Sequence, residues 1–250
     1  MIEQNVPILS MVIALPILGA IAIGAIQNIG LAKRIALLIA GIELIATLVV
    51  VQWFDAANAD FQMVERHVWI PSLNIDFLIG IDGISVLFLP MSALLTLVAI
   101  IASWNSVQHL TRFHFALLLI MEGGTMGVFV ALDMMLFFLF WELILPPIFF
   151  LIGLWGAGPQ RRGAAMKYML YMLFSGVPLL FALIMLGVNH AMQTGGSIPR
   201  DLSFRFPVLF KTHIPDDLQV LIFLLLLTGF AVQAPLAPFH TWLPIIEVDR

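Results

Sequence analysis

The sequence predicts an all-α, polytopic membrane helix bundle of about seven transmembrane helices, the seventh of them broken. Three observations carry that expectation. Hydrophobic residues fill 62% of the 250 positions, only 10% are charged, and mean hydropathy is +1.07. A soluble domain of this size carries roughly a quarter charged and about half apolar residues, so the surplus has to face lipid. The apolar stretches are unbroken and far longer than the alternating segments of about ten residues that build a barrel. Two prolines three positions apart, Pro235 and Pro238, interrupt the last stretch. The same composition excludes an ordinary cytosolic enzyme, a disordered chain and a nucleic-acid binder, since eleven Lys and Arg stand against fifteen Asp and Glu.

A helix crossing a hydrocarbon core roughly 30 Å thick needs about 20 mostly apolar residues, at about 1.5 Å each. Seven stretches qualify: residues 7–27, 35–53, 84–104, 114–132, 134–156, 164–188 and 218–243. The first reads as a retained helix, because residues 1–6 are acidic rather than basic and the apolar run exceeds signal-peptide length. Between the second and third spans, residues 67–71 and 73–77 alternate well enough for a short amphipathic hairpin with Pro71 near its turn. Only Asp133 separates the fourth span from the fifth, which predicts a tight helical hairpin. After the sixth span, Gly195, Gly196, Ser197 and Pro199 open a true loop, and residues 204–210 are expected to lie on the membrane surface. Composition does not shift along the chain, so residues 1–250 read as a single membrane domain.

Basic residues in short connections mark the inner side of a membrane. With the amino terminus outside, the inner connections collect Lys33, Arg34, Arg112, Arg161, Arg162, Lys167 and Arg250, seven of the eleven. Arg66, Arg200, Arg205 and Lys211 fall in the two long outer loops, where the rule is weakest. The expected orientation is therefore amino terminus outside and carboxyl terminus inside.

The absence of cysteine removes disulfides, thiolate nucleophiles, iron–sulfur ligation and cysteine zinc sites. The closest histidines, His109 and His114, are five positions apart, a spacing that does not share a helix face. Neither a GxGxxG nor a P-loop pattern occurs. No catalytic, cofactor-binding or metal-binding residue is expected, and attention passes to charges placed where they are costly.

A carboxylate deep in a bilayer costs several kcal/mol unless it is paired, protonated or wetted. Glu43, Glu122 and Glu142 all lie well inside spans. Glu142 is about 12 Å below the end of the fifth span, with Pro146 and Pro147 one turn later to free backbone carbonyls and bend the helix. It reads either as a protonated group bonded across a helix interface or as a proton carrier, its charged form disfavoured by desolvation. Glu122 precedes Gly123 and Gly124, which predict close helix packing against it, and Glu43 stands alone near Gly41. Lys167 lies one turn deeper than Arg161 and Arg162, so it either snorkels to the interface or relays protons within the bundle. In the broken span Gln233 sits just before the prolines and His240 seven residues on. Transporters bind ions at such breaks.

Five segments carry a family resemblance: residues 79–85 (Ile-Gly-Ile-Asp-Gly-Ile-Ser), 127–133, 140–142 (Phe-Trp-Glu), 165–168 (Ala-Met-Lys-Tyr) and 238–244 (Pro-Phe-His-Thr-Trp-Leu-Pro). Together they resemble the antiporter-like M subunit of respiratory complex I, the proton-translocating NADH:quinone oxidoreductase, in its amino-terminal half. The resemblance implies most of the first inverted repeat of the antiporter-like fold. It implies a proton-translocating membrane subunit, driven by quinone reduction elsewhere and holding no cofactor itself, with NAD, FMN, iron–sulfur clusters and quinone on other subunits. It also implies neighbouring membrane-arm subunits, antiporter-like ones among them, a lipid bilayer rather than nucleic acid as surroundings, and the bacterial inner membrane. Glu142 matches the family's proton-carrying glutamate, and Lys167, His240 and Glu122 join it as candidates. The family's lysine at the break falls on Gln233, which cannot take up a proton near neutral pH. The chain also stops where the family continues into an eighth helix, which implies a fragment, a split product or a truncated relative. A non-pumping structural subunit, a cation/proton antiporter subunit and a membrane-bound hydrogenase subunit remain the alternatives.

Overall fold

The computed structural model describes residues 7–243. The expectations for residues 1–6 and 244–250, including Arg250 on the inner side and Pro244 at the end of the last motif, lie outside the described residues. The elements in order are α1 (Ile8–Ala25), α2 (Ile29–Trp53), β1 (Gln62–Ile70), β2 (Ile75–Ile81), α3 (Ser85–Ser106), α4 (Thr111–Val130), α5 (Met134–Leu143), α6 (Leu145–Trp155), α7 (Arg161–Gln193), α8 (Phe206–Leu209) and α9 (Asp216–Gln233). A 3-10 turn, Phe239–Trp242, follows.

Seven helical segments are long and apolar enough to cross a membrane, with α5 and α6 together supplying one, Met134–Trp155. In six of them under half of the apolar window is buried. The rest exposes side chains such as Leu18, Ile21, Phe174 and Phe181, a surface suited to lipid.

The boundaries differ from expectation for identifiable reasons. Helix α2 begins at Ile29 rather than near residue 35, because the Asn28 side chain accepts from Leu31 N at 3.0 Å and caps it. Lys33 and Arg34 then extend from its first turns. Helix α7 overruns both expected ends. At its far end Asn189 Nδ2 donates to His213 O at 2.9 Å, and His190 Nδ1 lies 2.8 Å from Thr212 Oγ1. Residues 204–210 are tied to the start of α5. Met134 N donates to Phe204 O at 2.8 Å and Phe206 N to Leu132 O at 2.9 Å, which draws the segment inward, and Phe204 and Leu209 become core. The expected hairpin is present and longer than anticipated, its strands joined by a 3-10 turn at Pro71–Leu73 and by Asn74 with φ +52°.

The described residues fall into two compact units, one within Met1–Arg66 and Leu78–Ala131, the other within His67–Phe77 and Leu132–Arg250. In the first, α1 packs on α4 and α2, and α3 packs on α2 and α4. Gly123 allows the α1–α4 approach, since a Cβ there would meet Ile13 O at 3.1 Å and overlap the Ile17 side chain. Helix α1 has no side-chain cap of its own. Glu65 of β1 supplies it, accepting from Leu9 N at 2.8 Å, from Ser10 N at 3.2 Å and from the Ser10 hydroxyl. In the second unit α7 is the spine on which α6 and α9 lie.

Candidate functional site

Two prolines place Glu142 at a discontinuity. Asp133 starts α5 by accepting from Met135 N at 2.9 Å and Leu136 N at 3.2 Å. Pro146 and Pro147 would have to donate to Glu142 O and Leu143 O, and neither carries an N–H. Helix α5 therefore ends at Leu143, and α6 restarts at Leu145 with the prolines in its first turn, where no donor is needed. The half-buried Glu142 side chain lies against Gly176 of α7, where any Cβ would overlap Oε1. That oxygen has no hydrogen-bond partner, and neither has Trp141 Nε1 beside it. Trp141 packs edge-on to Phe230 of α9, with ring centroids 5.5 Å apart.

Helix α9 meets α7 at the same level. A Cβ on Gly229 would lie 3.0 Å from Leu179 Cβ and 3.2 Å from Ser175 O. Gln233, four residues on and thus on the same helix face, is the last residue of α9. The break that follows is satisfied in a definite order. Pro235 cannot donate to Ala231 O, so Leu236 N takes that carbonyl at 2.9 Å. This leaves Val232 O free, and Trp242 Nε1 reaches back to it at 2.9 Å. The expectation of a break at Pro235 and Pro238 is met, and its freed carbonyl finds a partner within the chain.

The predicted site residues separate into groups. Among the described residues, no hydrogen bond or ion pair joins Glu142 to Gln233 or to Lys167. Lys167 Nζ donates to Thr241 O at 2.6 Å and lies 5.7 Å from the Tyr171 ring centre, while Tyr171 Oη and Thr241 Oγ1 are 2.6 Å apart. Tyr168 and Trp242 stack edge-on at 5.5 Å. Lys167 thus does not meet Glu142; it clamps the segment after the break. His240, on that segment, is exposed. Tyr171, Thr241 and Trp242 escaped sequence reading as site residues. Thr241 and Trp242 had a signal, their place in the motif ending at Pro244.

Glu122 belongs to the first unit, as does Glu43, and their helices α4 and α2 pack on each other. The two glutamates are 1% and 0% exposed, and none of their four carboxyl oxygens has a hydrogen-bond partner. Nothing in the sequence pairs residues on α2 and α4.

A third polar group joins the hairpin tip to the start of α5. Arg205 Nη2 lies 2.6 Å from Asp76 Oδ2, whose residue is 2% exposed, and 3.3 Å from Asn74 Oδ1. Asn74 Nδ2 donates to Leu202 O at 2.7 Å. Asp133, fully buried, pairs its backbone with Arg205. Burial pushes the Asp133 carboxyl above its ordinary 3.8 and the Asp76 charge adds to this, while the N–H groups of Leu136, Met135 and Asp76 hold it down. Among the described residues, no group of three or more His, Asp or Glu side chains is placed to hold a metal ion.

The sequence family described as NADH:quinone oxidoreductase/Mrp antiporter, TM, matches residues 131–248. The chain is 35% identical over 239 residues to NAD(P)H-quinone oxidoreductase chain 4 1 of Synechococcus sp. (strain JA-3-3Ab), covering 95% of this chain and 43% of that one. It is 33% identical over 255 residues to NADH-quinone oxidoreductase subunit M of Rickettsia conorii, covering 98% and 49%. The chain thus spans less than half the length of these relatives. Its fold is similar to a chain of respiratory complex I from Thermus thermophilus, with a TM-score of 0.79 at 22% identity, over 94% of this chain and 46% of the other. It is also similar to a chain of the Mrp complex from Dietzia sp., with a TM-score of 0.76 at 22% identity, over 96% and 43%.

Proposed function

We propose that the chain, whose residues 131–248 match the family described as NADH:quinone oxidoreductase/Mrp antiporter, TM, serves as a membrane-arm subunit of a proton-translocating NADH:quinone oxidoreductase. It contributes to proton translocation while the redox chemistry, with NAD, FMN, iron–sulfur clusters and quinone, proceeds on other subunits. Its partners are other membrane-arm subunits, adjacent antiporter-like ones among them. It works as one membrane domain in the bacterial inner membrane with its amino terminus outside, an orientation supported by the basic residues of its short connections.

The observation that carries this reading is Glu142. A carboxyl at a helix discontinuity, with one oxygen unpaired against a glycine of the neighbouring helix, has room to rotate and no fixed partner to lose. A polar or positive neighbour would stabilise its anion and so draw off its proton. Gln233 closes the α9 side of this region as a neutral hydrogen-bonding group, and Lys167 and His240 line the segment beyond the break. Glu142→Gln in the assembled complex is expected to abolish or strongly lower the protons pumped per NADH oxidised. Full pumping stoichiometry in that variant overturns the carrier role.

One observation favours a second reading, a structural subunit that does not pump. Gln233 cannot change charge, and the lysine nearest in chemistry, Lys167, is committed to Thr241 O. Gln233→Lys separates the two readings.

A further inference from the structure

We infer that Glu43 and Glu122 form a second proton-binding site, a carboxyl pair that gives up its two protons one after the other. The inference extends the reading of Glu122 to a site that does not involve Glu142. Both residues lie near the middle of their helices, Glu43 in Ile29–Trp53 and Glu122 in Thr111–Val130, and α2 packs on α4. All four carboxyl oxygens are buried and without hydrogen-bond partners. An isolated carboxylate in such surroundings costs several kcal/mol, and a second one nearby adds repulsion to desolvation. The doubly ionised pair is therefore the least favoured state, and the two protons leave in separate steps.

Among the described residues, the lysines and arginines of α1 to α4 all lie within the first two turns of their helices. The packed helices α1 and α3 carry no titratable residue. On α2, Lys33 and Arg34 lie at least nine residues before Glu43, roughly 13 Å along the axis or more. Lys33 Nζ donates to Trp104 O at 2.5 Å. On α4, Arg112 donates to Ile26 O at 2.8 Å and His114 Nε2 lies 3.1 Å from Ser103 Oγ, both in the first turn. Glu65 is engaged at the opposite end, on the start of α1. The buried hydroxyls of Thr47, Ser92 and Thr96 lie in the same packed helices and offer the proton polar stepping points. An apolar groove of about 450 Å³, lined by Met11, Leu15, Ile42 and Ala46 among others, reaches Glu43 from the side.

The test is an infrared pH titration of the membrane complex, read as the protonated-carboxyl signal that the Glu43→Gln/Glu122→Gln double variant lacks. Two ionisation steps separated by more than about one pH unit are expected for the natural chain, as for any strongly interacting pair. Each single glutamine variant should show one step, and Glu142→Gln should keep both, so the fate of the Glu142 reading does not decide this one. Two carboxyls ionising together in one step, or no ionisation at all, overturns the pair. Should the variants fail to assemble, the natural complex decides by itself. A lipophilic carbodiimide, which attacks protonated carboxyls, is expected to label Glu43 through the groove, as mapped by mass spectrometry. No label at Glu43 under those conditions overturns the inference.

Discussion

Gly176→Ala is expected to damage proton transfer while leaving the fold almost as stable as before. The added Cβ overlaps Glu142 Oε1, which sits at the end of a flexible side chain, so the carboxyl yields rather than the backbone. Turning that side chain off its preferred rotamer costs about 0.5–1.5 kcal/mol. Alanine returns about 1 kcal/mol of helix propensity over glycine at this interior position of α7. The two nearly cancel, and a change in thermal stability within about 1 kcal/mol follows. The carboxyl, however, retreats on the order of 1 Å, a misplacement that can lower a rate by as much as about a hundredfold where geometry is limiting. Gly229→Ala is the contrast. Its Cβ meets Leu179 Cβ at 3.0 Å and Ser175 O at 3.2 Å, atoms that cannot swing away, so stability should fall by about 1–3 kcal/mol from overpacking. Both variants are read by proton flux in proteoliposomes holding the whole complex and by the thermal unfolding midpoint. Natural flux from a folded Gly176→Ala complex refutes the claim that Glu142 works from its seat on α7.

Gln233→Lys should raise proton transfer, or restore it where the natural chain has none, because lysine and glutamate each stabilise the other's charged form. Equal, robust flux from both chains in proteoliposomes means another group fills the role, and Gln233 is no defect. Trp242→Phe keeps the ring packing on Tyr168 but removes the donor to Val232 O. A buried carbonyl left alone costs about 1–3 kcal/mol, seen as a lower unfolding midpoint and faster amide exchange near the α9 break, and unchanged exchange there argues against the hand-off. Asp133→Asn keeps the α5 cap but removes a titration. The folded-state value of Asp133 is raised, so its contribution is full below about pH 3.8 and is lost as pH rises through the raised value. The natural chain should therefore lose midpoint between acid and neutral pH more steeply than the asparagine variant, and parallel pH profiles refute this.

What the sequence makes legible follows from how strongly each constraint acts locally. Lipid demands long apolar runs, so the spans could be read, and missing N–H groups at Pro146, Pro147, Pro235 and Pro238 announced both breaks. Alternation and Pro71 announced the hairpin. Helix ends were less legible, because Asn28 starts α2 through a side chain that also suits a loop. Partnerships across distance were not legible. Arg205 finds Asp76 only once the chain has packed, and no spacing rule announces that pair. Lys167 shows the limit most clearly. Its depth suggested a relay, whereas its partner is a backbone carbonyl created by the turn after α9.

The packing of α1 has a consequence for how the chain is made. Its first N–H groups wait for Glu65, and its flank waits for Gly123 on α4. Roughly 100 residues separate the end of α1 from the end of α4, which at about 5–20 residues per second is about 5–20 s of synthesis. During that interval the first span has no final neighbour on that flank and must be sheltered by lipid or by the insertion machinery. Slowing translation between α2 and α4 should lengthen that exposed period, and speeding it should shorten it, so the order of the helices sets a clock on their assembly.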